Sequence, residues 1–87
     1  MGKAGHALKK TLEAYKISQR HLATVLGVRS YVVYRWFHEQ IDPSAENTAA
    51  IASALQQIDP DAANAFVRLY LGEYLEEKPV QAGKEEE

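Results

Sequence analysis

The chain has 87 residues, no cysteine and a formal net charge of -2, which leaves room for one domain and excludes a disulfide framework or a thiolate zinc site. The opening residues, MGKAGHALKK, pass directly into helix-like sequence without an apolar signal core. No apolar stretch approaches a membrane span, so no membrane partner and a cytoplasmic location are expected.

Charge is unevenly placed along the chain. Residues 1–38 hold seven Lys and Arg against one acid, Glu13, whereas residues 39–87 hold three basic residues against eleven acidic ones. A local basic surface, not whole-molecule charge, releases counterions from phosphates, so this asymmetry is compatible with a nucleic-acid-binding face. An acidic end that keeps the chain soluble accounts for the same distribution.

The elements read as all helical. Ala is plentiful, β-branched alternation is absent, and Pro stands only at 43, 60 and 79, where segments begin or end. Leu8, Leu12 and Tyr15 mark the inner face of a first helix over 4–16. Ser18 is the expected N-cap of a second helix running to Leu26, its hydroxyl accepting from the amide of Arg20 or His21. Gly27 fits a left-handed C-terminal cap, and a third helix follows near Ser30 to Glu39. Ser44 caps a fourth helix in which Thr48, Ile51, Ala52, Leu55 and Ile58 have helical spacing. Asp59 caps a fifth, with Pro60 at its first position, where the missing N–H costs nothing. Residues 1–78 thus form one domain, and 79–87 a disordered acidic tail with little to bury.

The second and third segments are a helix, a tight glycine turn and another helix, the unit called helix-turn-helix, over about 18–38. Leu22, Leu26, Val28, Val33 and Trp36 fall where two crossed helices face each other and the first helix. Ala23 is small at the closest crossing, and Gly27 makes the turn. The stretch ISQRHLATVLGVRSYVVYRW, followed by PSAENTAAIASAL, resembles the lambda-repressor-like helix-turn-helix domains related to phage Cro and repressor proteins. The resemblance covers about residues 8 to 58. It implies a five-helix all-α fold that binds double-stranded DNA, the third helix in the major groove and the second lying across it. Two features depart from the family pattern: Phe37 and Glu39 stand where a glutamate and then a glycine often follow, and the expected recognition positions are bulky and aromatic.

Geometry alone divides the third helix into two faces. Val33, Trp36 and Phe37 share the inner side, with Val32 between. Tyr31, Tyr34, Arg35 and His38, at i, i+3, i+4 and i+7, form a stripe on the other. With Ser30 at its N-terminus, this stripe suits base edges, thymine methyls and phosphates. Gln19 and Arg20 at the start of the second helix are placed to meet phosphates or brace the third helix, and Arg29 in the turn to meet the DNA backbone. Lys9, Lys10 and Lys16 add field more than contacts. The alternative for Tyr31 and Tyr34 is packing on the first or fourth helix with hydroxyls in water.

His6, His21 and His38 form no ligand pattern, and no nucleophile motif or Gly-rich phosphate loop occurs. No catalysis, metal, cofactor or small-molecule substrate is therefore expected. On the fifth helix, apolar residues from Ala62 to Leu75 cover an arc of roughly 240°, beyond the ~100° stripe that docking on one core needs. A homodimer through Phe66, Leu69, Tyr70 and Tyr74 is expected, the alternative being a helix wrapped further round a monomer. The expected function is sequence-specific DNA binding by a prokaryotic or phage-type transcriptional regulator. The rival is a protein-interaction module, adaptor or antitoxin-like, on the same fold.

Overall fold

The computed structural model describes residues 3–76, with side chains described over 3–72. The tail expected at 79–87 lies outside the described residues. Five helices follow one another: α1 (Lys3–Tyr15), α2 (Gln19–Leu26), α3 (Ser30–Phe37), α4 (Ala45–Ile58) and α5 (Pro60–Glu76). There is no strand among the described residues, so the architecture is all-α.

Local chemistry sets most of the boundaries. The Ser18 hydroxyl accepts from the His21 amide at 2.9 Å and Ser44 from the Asn47 amide at 3.1 Å, so each serine satisfies one orphan donor at the start of its helix. Asp59 serves two helices at once. Its amide donates to the Leu55 carbonyl at 2.7 Å to close α4, and its Oδ1 accepts from the Asp61 amide at 3.0 Å to open α5. A single residue therefore turns the chain between the two longest helices. The α1 N-terminus is capped across the sequence: Asp42 Oδ1, in the α3–α4 loop, accepts from the Gly5 amide at 2.8 Å.

Three helices end in the same way, with a left-handed residue followed by a hydrogen bond reaching back five positions. At α2 this residue is Gly27 (φ 80), with Val28 N–H bonded to the Ala23 carbonyl at 3.0 Å. At α1 and α3 the position falls to Lys16 (φ 54) and Glu39 (φ 56). The bonds are Ile17 N–H to Leu12 O and Gln40 N–H to Arg35 O. Both helices consequently stop short of the sequence expectation, α1 at Tyr15 instead of Lys16 and α3 at Phe37 instead of Glu39. Glu39 thus takes a left-handed backbone conformation that glycine adopts without steric cost.

The core is one cluster to which every helix contributes. Leu8, Leu22, Val33, Ile51, Leu55 and Phe66 are fully enclosed, and Trp36 nearly so. Each such side chain stabilises the fold by about 1.5–3 kcal/mol relative to exposure. Ala23 is buried in the same cluster, against which α2 and α3 pack, so the expected small residue at this point is in place. Two expected core residues are exposed. Tyr15 lies in the last turn of α1, where the chain reverses at Lys16, and stays exposed; Thr11 is buried on that face instead, its hydroxyl bonded to the Ala7 carbonyl at 2.8 Å. Val28 follows the α2 cap and remains 38% exposed, so it does not anchor α3 to the core.

Candidate nucleic-acid interface

The turn Gly27–Val28–Arg29 delivers the chain directly into α3. Arg29 is the N-cap in extended conformation (φ -74, ψ 146) but its side chain makes no capping bond, leaving the guanidinium outside the helix end. Among the described residues the first turns of α2 and α3 carry no acid, whereas α4 and α5 begin with Glu46 and Asp61. The positive ends of the α2 and α3 dipoles are therefore not offset locally.

Burial splits α3 into the two expected faces. Val33 and Trp36 are in the core and Phe37 and Val32 pack against it, half-buried. On the other side Tyr31 is 62% and Tyr34 44% exposed, with Ser30 and His38 also exposed and Arg35 half-buried. Neither tyrosine belongs to the core cluster. The stripe is internally ordered by neighbours one turn apart: the Arg35 guanidinium carbon lies 5.5 Å from the Tyr31 ring centroid, and the Tyr34 and His38 rings are 4.2 Å apart at 47°. His38 also meets the Phe37 ring edge-on at 5.1 Å.

Gln19 is half-buried and Arg20 and Arg29 are exposed, but none of the three makes a side-chain hydrogen bond or ion pair with the α3 stripe among the described residues. Gln19 and Arg20 therefore flank the stripe and do not brace it. Lys9 is drawn to the back of α3, its ammonium 5.9 Å from the Phe37 ring. Val28 joins the outward surface beside Arg29, although apolar character alone assigns it to the interior. The signal that bears on it is its place directly after the glycine cap, where a side chain covers only the end of the preceding helix.

The residues expected at a dimer contact separate. Phe66 is 1% exposed and stacks on Tyr70 at 6.2 Å, so it belongs to the core of the single chain. Tyr70 is half-buried and Leu69 is 50% exposed, while the side chain of Tyr74 lies outside the described residues. Val67 and Leu71 are also exposed and border an apolar groove of about 270 Å³ between α4 and α5, with Phe66 and Tyr70 on its α5 side and Ala45, Thr48, Ala49 and Ala52 on its α4 side. At 100° per residue, Leu69 stands roughly 160° from both Val67 and Leu71. The broad apolar arc of α5 is thus a core stripe with an exposed flank on each side.

Among the described residues there is no group of three or more His, Cys, Asp and Glu that could hold a metal ion, and no helix long and apolar enough to cross a membrane. Compared with protein-family models, with curated proteins and with solved structures, the chain matches none.

Proposed function

We propose that the protein binds double-stranded DNA sequence-specifically as a lambda-repressor-like helix-turn-helix regulator, without a catalytic step, with α3 in the major groove and α2 across it. One observation carries the reading. An eight-residue helix entered through a three-residue turn is anchored by Val33 and Trp36, yet leaves two large tyrosines and a row of polar neighbours uncovered on its opposite side. Leaving such surface in water is costly unless a partner covers it in use. Arg20, Arg29 and the unoffset N-termini of α2 and α3 give that partner's negative backbone groups to meet. Ser30, Tyr31, Tyr34, Arg35 and His38, with the addition of Val28, are the side chains that meet base edges and thymine methyls.

The protein acts as a homodimer in this reading, because one eight-residue helix reads too few base pairs for tight, specific binding. Leu69 of α5 is the expected contact that stands clear of the core, and the flank of Val67, Tyr70 and Leu71 is the alternative surface. A second reading, in which the same fold docks another protein, is favoured by the apolar groove between α4 and α5.

The test is a salt titration of affinity for mixed duplex DNA. If Arg20 and Arg29 of two protomers each neutralise one phosphate, the slope of log K against log salt is about -3.6. Arg29→Ala should bring it to about -1.8. Absence of binding at low salt, or a slope indifferent to Arg20 and Arg29 together, removes the DNA reading.

A further inference from the structure

Arg35 stands apart from the other cations among the described residues. Its Nε is buried and has no hydrogen-bond partner among the described residues. The residue is only half-buried, and no hydrogen bond or ion pair engages its terminal nitrogens among the described residues. Its guanidinium carbon sits 5.5 Å from the ring centroid of Tyr31, one turn earlier on the same stripe. An arginine free in solvent samples many rotamers, and fixing it on a ligand costs side-chain entropy. Contact with the tyrosine face removes part of that freedom before any ligand arrives. Covering Nε has a second consequence. A guanidinium can meet a pair of acceptors side-on, through Nε and one terminal nitrogen, or end-on, through both terminal nitrogens. With Nε enclosed, only the end-on fork remains.

We propose that Tyr31 and Arg35 act as one reading unit, in which Tyr31 holds the Arg35 guanidinium so that its two terminal nitrogens engage O6 and N7 of a single guanine in each half-site. The unit rests on the reading of this protein as a duplex-DNA binder and assigns unequal roles within it. Arg35 is the specificity-determining residue. Tyr31 is a positioning residue whose ring, not its hydroxyl, is required. Guanine is the base that fits, because it alone offers two adjacent major-groove acceptors to a bidentate donor. Adenine presents a donor beside its N7, which the all-donor guanidinium cannot accept.

The test crosses protein variants with a base analogue. A preferred duplex is selected with the full chain, and each of its guanines is replaced in turn by 7-deazaguanine, which lacks the N7 acceptor but keeps Watson–Crick pairing. For the unaltered protein, one guanine per half-site should respond with a loss of affinity of about tenfold, within the about 5- to 150-fold span of a bidentate contact. In Arg35→Ala that guanine should become insensitive to the replacement while the others respond as before. Tyr31→Phe should retain the response in full, even if overall affinity falls with the hydroxyl. Tyr31→Leu should shrink it severalfold, although its circular dichroism and melting stay those of the parent. If Arg35→Ala binds duplex DNA with every guanine responding as in the parent, the reading unit is wrong and DNA binding stands. The role of Tyr31 is overturned if Tyr31→Leu responds like Tyr31→Phe. No salt-dependent duplex binding by the unaltered protein overturns both the unit and the reading beneath it.

Discussion

Replacing Glu39 by glycine should stabilise the protein. Glu39 sits at φ 56 just past the end of α3, where its amide bonds to the Trp36 carbonyl and the next amide bonds to Arg35 O. An L-residue in this region pays about 1–2 kcal/mol, which glycine does not. Glycine returns about 0.5–1 kcal/mol of that through the greater freedom of its unfolded chain. The substitution also removes the pair from His6 Nδ1 to Glu39 Oε2 at 3.7 Å, whose side chains are 58% and 35% exposed, and such a pair contributes a few tenths of a kcal/mol at most, roughly. The net gain is about 0.5 kcal/mol, a rise in Tm of about 2–4 °C for a domain of this size, read by circular dichroism at 222 nm. Glu39→Ala separates the two contributions, since it removes the pair and keeps the backbone cost. The expected order of Tm is Gly above Glu, with Ala at or slightly below Glu. Should Glu39→Ala melt at or above Glu39→Gly, the backbone at 39 is not left-handed in solution and the account of how α3 ends is wrong.

Gly27→Ala should run the other way, losing about 1 kcal/mol in urea or thermal unfolding: nothing lies within 4 Å of the new Cβ, so backbone strain at φ +80 is its only cost. Gly5→Ala should destabilise by about 1–3 kcal/mol for a different reason, because its Cβ would come within 3.0 Å of the Trp36 carbonyl and 3.2 Å of the Asp42 carboxylate that caps α1; equal stability would mean that α1 and the α3 end are not packed this closely. Leu69→Glu and Val67→Glu place a charge on opposite flanks of α5, and light scattering at micromolar concentration should show one of them monomeric and the other dimeric; a parent already monomeric contradicts the dimer.

The parts of the fold that are legible in the sequence are those fixed by short-range chemistry. Ser18, Ser44 and Asp59–Pro60 bear the hydroxyl, carboxylate or missing N–H that a helix start requires, and Gly27 the freedom that a helix end requires. The ends of α1 and α3 carry no such mark, because Lys16 and Glu39 adopt a glycine-like conformation that nothing in their own chemistry favours. The capping of α1 by Asp42 depends on residues 37 positions apart and is visible only once α3 has turned the chain back. On α3, periodicity separates the buried Val33 and Trp36 from the exposed tyrosines correctly. It is silent on the order within the outer stripe, where Arg35 lies against Tyr31 and His38 against Tyr34. On α5 the breadth of the apolar arc is visible in the sequence. Its division between Phe66 in the core and Leu69 outside depends on where α1 and α4 lie.

The most direct test of the central claim, that the outer face of α3 reads duplex DNA, is selection of bound sequences from a random duplex pool with the full chain. A two-fold symmetric motif with half-sites about one helical turn apart should be enriched, its sequence altered when Tyr34 or Arg35 is replaced by alanine. A pool that stays random after repeated selection at low salt would contradict the claim, as would a motif unchanged by both replacements.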